Sequence, residues 1–189
     1  SIRVVSGDTQ SGVVGTALVR AVVIRAVDSL GNPVGGVPIR LRPQTGKTDS
    51  MVLTGRDGLA SAKWTLGSSA GPVRLVARFD TLPDSAVVTA TARPGRAQKL
   101  YFATAPASGT AGRALPKMVQ VIVRDGYGNP IPKVPVRFSV ATGKVFPAEG
   151  TTDASGRVST RWTLGPKPGK QVLIATVKST ALKATHTVE

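Results

Sequence analysis

One corner is spelled twice in this chain. "DSLGNPVGGVPIRL", Asp28 to Leu41, returns as "DGYGNPIPKVPVRF", Asp125 to Phe138. Asp28, Gly31, Asn32, Pro33 and Val37 reappear 97 residues later as Asp125, Gly128, Asn129, Pro130 and Val134, and "SG" at 11–12 returns at 108–109 with the same spacing. "WTLG" at Trp64 to Gly67 returns 98 residues on, at Trp162 to Gly165, so the second copy carries one inserted residue between these landmarks. Such a period is too long for solenoid or propeller repeats of roughly 20–50 residues and fits tandem domains. The repeat thus divides the 189 residues into two modules, 1–93 and 94–189, with a linker at about 92–98 where Pro94 and Gly95 interrupt the pattern. So short a linker permits little independent tumbling and predicts an elongated pair.

Inside each module, short runs rich in Val, Ala and Thr alternate with period two between Gly and Pro punctuation, as strands do. Val22, Ile24 and Ala26 share one face, and Val119, Val121 and Val123 repeat it. After the corner, Val37, Ile39 and Leu41 match Val134, Val136 and Phe138 as inward positions, with Arg40 and Arg137 outward. Ala60, Ala62, Trp64 and Leu66 keep the parity of Val158, Thr160, Trp162 and Leu164, which places both tryptophans in cores. Val73, Leu75, Ala77 and Phe79 read inward against Leu173, Ala175 and Val177, and "AVVTATA" and "LKATHTV" close the modules. No stretch sustains an i, i+3, i+4, i+7 apolar pattern, so essentially no helix is expected. About seven strands in about 95 residues predict an all-β chain of two tandem, antiparallel Greek-key β-sandwiches.

The corner itself is turn chemistry. An Asp at a strand end bonds nearby backbone amides, Gly supplies positive φ, and Pro fixes φ near −65° while ending ladder donation. Asp28, Asp57, Asp125 and Asp153 all stand beside turns, and each corner offers only one or two carboxylates. Calcium needs about six to eight oxygens, so turn capping is the better reading and no metal is expected. The absence of cysteine removes disulfides, thiolate nucleophiles and Cys-ligated metals. His186 is the single histidine and reads as an ordinary strand residue rather than a general base. No P-loop, GxGxxG or metal-spacing motif is present, so neither cofactor nor enzyme activity is expected. No run of about 18 apolar residues exists to span a membrane. The start at Ser1, without Met or signal peptide, is that expected of a processed product or an excised fragment.

In their order, "VxDxxGNPVxGVPIRL", then "TGRDGLASAKWTLG", and in the second copy "TTDASGRVSTRWTLG", resemble bacterial Ig-like domains of the invasin/intimin (Big-1) type over nearly all of both modules. The resemblance implies immunoglobulin-like sandwiches, bacterial and extracytoplasmic at the cell surface or in the periplasm, used as stalk or adhesion modules and not as enzymes. The Cys…Trp…Cys pattern of antibody domains is absent.

What the modules offer a partner lies on their surfaces. Net charge is +15; residues 1–93 carry 11 Lys/Arg against 6 Asp/Glu, and residues 94–189 carry 14 against 4. Such a field favours an acidic protein, an anionic membrane or a nucleic acid as neighbour. Outward parity puts Arg40, Arg42, Arg74 and Arg78 on one face of the first module, but the aromatic residues that stack on bases are scarce, which disfavours nucleic acid. In the second module the matching positions are Arg137, Val172, Ile174 and Thr176, and Met118 and Ile122 read as outward on the opposite sheet, a set suited to docking a protein. Three functions are therefore expected in this order: a non-enzymatic extracytoplasmic interaction or stalk module, an accessory subunit docked on the outer face of a bacterial membrane complex, and a polyanion binder.

Overall fold

The structure is a computed structural model and describes residues 1–80 and 83–189. Contacts divide it into two units, Ser1–Pro94 and Gly95–Glu189. Among the described residues all regular elements are strands, and no helix is long and apolar enough to cross a membrane.

Unit 1 holds β1 (Ile2–Ser6), β2 (Gln10–Val13), β3 (Val22–Ala26), β4 (Pro38–Pro43), β5 (Met51–Leu53), β6 (Leu59–Ala62), β7 (Gly71–Phe79) and β8 (Ser85–Arg93). They form one sheet ordered β1-β3-β6 and a second ordered β2-β8-β7-β4-β5. Unit 2 holds β9 (Lys99–Thr104), β10 (Val119–Arg124), β11 (Pro135–Val140), β12 (Lys144–Phe146), β13 (Glu149–Thr151), β14 (Arg157–Thr163), β15 (Gln171–Val177) and β16 (Lys183–Val188). Its sheets run β12-β14-β10-β9 and β13-β11-β15-β16. Both units are immunoglobulin-like sandwiches with two sheets closed over one apolar layer.

The alternation of the sequence dictates that layer. In β8, Ala86, Val88, Ala90 and Ala92 are buried while Val87, Thr89 and Thr91 between them are exposed. Val22, Ile24, Ile39, Leu75 and Trp64 form the centre of the first core, each at most 1% exposed. Val119, Val136, Phe138, Leu173 and Trp162 form the second, each at most 2% exposed. Burying an aliphatic side chain of this size contributes about 1.5–3 kcal/mol, so strand parity alone is enough to select these faces.

One strand departs from the antiparallel expectation. β2 runs parallel to β8, with Gln10 opposite Ala90 and Val13 opposite Arg93. The cause is that the chain does not reverse after β1; it crosses from one sheet to the other at Gly7–Thr9 and meets β8 running the same way. Gly7 has φ +87° at this crossing, and a Cβ on it would lie 2.5 Å from the Ala21 carbonyl oxygen. Asp8 fastens the crossing by accepting from the Thr89 amide at 2.7 Å and the Thr89 hydroxyl at 2.8 Å, bonds that hold its carboxyl below the usual range. The buried Gln10 side chain completes it, donating to the Gly7 and Arg20 carbonyls and accepting from the Arg20 amide. In unit 2, Glu189 N donates to Ala107 O and Gly109 N to Glu189 O, both at 3.2 Å.

Candidate partner surface

Among the described residues no group of three or more His, Asp or Glu side chains is placed to hold a metal ion. His186 stands on β16, where its Nε2–H donates to the Pro106 carbonyl at 2.8 Å and its ring lies 5.3 Å from that of Phe102. The first contact ties the segment after β9, and the second β9 itself, to the edge strand. The turn aspartates cap backbone amides. Asp57 Oδ1 accepts from Leu59 N at 3.0 Å, and Asp153 Oδ1 accepts from Ser155 N and Arg157 N at 2.8 and 2.9 Å.

The four arginines of unit 1 lie on one outer sheet face. β4 pairs with β7 so that Arg40 stands opposite Arg78 and Arg42 opposite Val76, while Arg74, two pairs further along β7, stands opposite Thr89 of β8. All four side chains are exposed. Like charges directly opposite across strands are destabilising. Asp80 answers this: its carboxylate accepts from Arg40 Nε, a bond that holds Asp80 below the usual carboxylate range, with Arg78 and Arg42 adding to the effect. One carboxylate thus serves three guanidinium groups, and the face keeps a positive excess. Arg74 lines an open depression of about 490 Å³ with Gln44, Pro72, Thr89 and Thr91.

The corresponding face of unit 2 carries Arg137, Lys178 and Lys183 beside Glu149. Arg137 stands opposite Glu149 of β13, whose carboxylate is 4.0 Å from it and 2.6 Å from Lys178 Nζ. The Lys178 bond, then Arg137, holds Glu149 below its usual range. Val172 is exposed and Ile174 half-buried on this outer face, opposite Thr187 and Thr185 of β16. Met118 is 45% exposed at the start of β10, in the other sheet. Ile122 corrects the parity reading: it is only 4% exposed, although it points away from the core. It sits on a central strand between Tyr101 of β9 and Arg157 of β14, and Arg157 also hydrogen-bonds Gln120 on the same face. Long neighbours on both sides shield it, so the structure brings together Arg137, Val172 and Ile174 but not Met118 and Ile122.

The repeated corner is built alike in both units. Asp28 N donates to Asn32 O at 2.9 Å, as Asp125 N does to Asn129 O at 3.0 Å. Gly31 and Gly128 take φ +89° and +93°, the left-handed region that favours glycine. Each corner is also stapled by a buried threonine that the sequence reading passed over. Thr54 Oγ1 accepts from Val37 N at 2.9 Å and donates to Val34 O at 2.8 Å; Thr152 Oγ1 accepts from Val134 N at 2.9 Å and donates to Ile131 O at 2.6 Å. Their signal in the sequence was a threonine 98 residues apart, four residues before Gly58 and Gly156. The corner tips carry Leu30, 85% exposed, and Tyr127, 62% exposed, also at matching positions.

Comparison with known proteins agrees with this geometry. The sequence profile of the bacterial Ig-like domain (group 1) matches residues 102–189. The solved structure of Yersinia pseudotuberculosis InvD is similar over 100% of this chain and 56% of its own, with a TM-score of 0.63 at 17% identity. The Escherichia coli adhesin FdeC is similar over 100% of this chain and 63% of its own, with a TM-score of 0.54 at 20% identity. The chain thus spans little more than half of either. No curated protein sequence matches it.

Proposed function

We propose, from the premise that residues 102–189 are a bacterial Ig-like domain of group 1, a non-enzymatic kind of module, and that residues 1–94 repeat its sandwich, that the chain is an extracytoplasmic structural and interaction module. On this reading the two units present surfaces and spacing rather than chemistry, at the bacterial cell surface or in the periplasm, and each unit is a domain that folds on its own.

The observation that carries a protein-contact role is the cluster of four arginines on the outer sheet face of unit 1. Unit 1 sets Arg40, Arg42 and Arg78 around the single carboxylate of Asp80, whereas unit 2 sets one guanidinium, Arg137, and Lys178 around Glu149. A face with unspent positive charge fits an acidic protein partner and steers its encounter. Charge reversal tests this. In the full chain, Arg42→Glu with Arg78→Glu is expected to abolish retention on native cell-envelope preparations at low salt, while Arg137→Glu leaves it within about twofold. Equal retention of all three proteins would sink the proposal.

A further inference from the structure

Unit 2 has a second outer face, that of the sheet β12-β14-β10-β9. Cross-strand register places five cations on it: Lys144 opposite Thr163, Arg161 opposite Phe146, Arg157 opposite Ile122, and Arg124 opposite Lys99. None of the five takes part in an ion pair among the described residues. Arg157 and Arg124 are held by neutral acceptors, the Gln120 side chain and the Gly128 carbonyl, so their charge is oriented but not neutralised. The acidic residues of unit 2 lie elsewhere. Asp125 is buried in its corner, Glu149 belongs to the other sheet, Asp153 caps the turn before β14, and Glu189 pairs with Lys170.

Exposed apolar side chains stand among these cations, and they stand at the margins. Phe146 on the edge strand β12 is 80% exposed, Tyr101 on the opposite edge strand β9 is exposed, and so is Met118 just before β10. The centre differs: Ile122 is shielded, and Gln120 donates to the Ser159 hydroxyl across the same two strands. This ordering decides what fits. A protein interface has an apolar centre and a polar rim, the reverse of what is found here. Phe146 and Tyr101 lie three strand spacings apart, about 14 Å, too far for the successive stacking of a nucleic-acid strand. A bilayer surface needs no apolar centre; it takes aromatic side chains at headgroup level and draws basic residues to its anionic lipids.

The equivalent face of unit 1 lacks this combination. The shared "TGK" at 45–47 and 142–144 aligns Asp49 with Phe146, and the pairs Arg3 opposite Arg25 and Tyr101 opposite Ile122 align Arg3 with Tyr101. The aromatic residues of unit 1, Trp64 and Phe79, are both buried. We infer that the β12-β14-β10-β9 face of unit 2 rests on an anionic phospholipid bilayer, with Phe146 and Tyr101 reaching the headgroup layer at two margins and the five cations over anionic headgroups. The inference stands apart from the role proposed for the arginine face of unit 1.

Vesicle sedimentation of the full chain tests this, with phosphatidylcholine alone and with phosphatidylcholine carrying about one third phosphatidylglycerol. Binding to the anionic vesicles is expected to exceed that to the neutral ones at least about tenfold and to fall as salt is added. Lys144→Gln with Arg161→Gln should weaken it about 25-fold, about fivefold per cation, and Phe146→Ser about fivefold. All three side chains are exposed, so the fold is kept. The matching change in unit 1, Lys47→Gln with Lys63→Gln, removes the same charge and should alter binding no more than about twofold. In Phe146→Trp, brominated lipid chains should quench the added emission. Equal binding to both compositions, no binding to the anionic vesicles, equal losses in the unit 1 and unit 2 pairs, or an unquenched indole would each overturn the inference. So would capture of poly-glutamate through Lys144 and Arg161 without vesicle binding, which would give the face to an acidic protein.

Discussion

Replacement of Asp125 by Ala is expected to destabilise unit 2 by about 3 kcal/mol, whereas Asp28→Ala costs unit 1 clearly less. Both residues occupy the same letter of the same motif; what separates them is water. At Asp125 the carboxylate is buried, and its removal takes away the acceptor that the half-buried Gly95 and Asn129 amides share. Orphaned buried donors cost about 1–3 kcal/mol each, and bonds to charged groups sit at the upper end of the hydrogen-bond range. At Asp28 the amides of Leu30 and Asn32 can turn to water. Calorimetry of the full chain should show one transition lowered by about 15 °C in the Asp125 variant. The effect has a pH signature. Burial alone would raise the Asp125 carboxyl, but the Asn129 and Gly95 bonds outweigh it and hold the group below its ordinary value of 3.8. A carboxyl lowered by folding contributes stability that is fully present above its unfolded pKa and is lost as pH falls through the folded one. The gap between wild type and variant should therefore be constant at neutral pH and close only as the pH drops below the ordinary carboxylate range. A gap that stays open in acid would mean that packing and not the charged acceptor carries the effect.

The second large effect is in the cores. Trp64 and Trp162 are both fully buried, and truncating either to Ala should cost its own unit about 3–5 kcal/mol through lost burial and the cavity left behind. Phenylalanine separates the two sites. Trp64 Nε1 donates to Thr45 O at 3.3 Å, while Trp162 Nε1 is buried with no partner among the described residues. Trp64→Phe therefore loses volume and strands a carbonyl, whereas Trp162→Phe loses volume but also removes an unsatisfied N–H, whose burial costs about 1–3 kcal/mol. Trp162→Phe is expected to be the milder change by about 1 kcal/mol, read by circular dichroism of each variant against denaturant. Equal losses would show that the indole N–H of Trp162 is satisfied in solution.

The cores were legible in the sequence because a two-residue period leaves no choice once one face is apolar: Val22, Ile24, Val119 and Val121 could only point inward. The outer surface was legible in part. Parity correctly turned Arg40, Arg42, Arg74 and Arg78 outward, but it cannot say what stands beside a residue across the sheet. Ile122 is outward by parity and buried in fact, because Tyr101 and Arg157 come from strands about 20 and 35 residues away in sequence whose register no local pattern encodes. The pairing of Glu149 with Arg137 and Lys178 was hidden for the same reason. Thr54 and Thr152 escaped notice because a threonine in a strand-rich chain is unremarkable until its hydroxyl is seen between two backbone groups. The crossing of β2 to β8 was likewise unreadable, since alternation reports faces and not direction.

That parallel ladder also sets how unit 1 bears load. When the two ends of a module are drawn apart, β2 and β8 are pulled in opposite senses along their length, so the bonds from Gln10 to Val14 are sheared together rather than unzipped one by one. The edge of unit 1 is therefore expected to hold until several bonds fail at once; gradual yielding of this edge in a single-molecule pulling trace would contradict this.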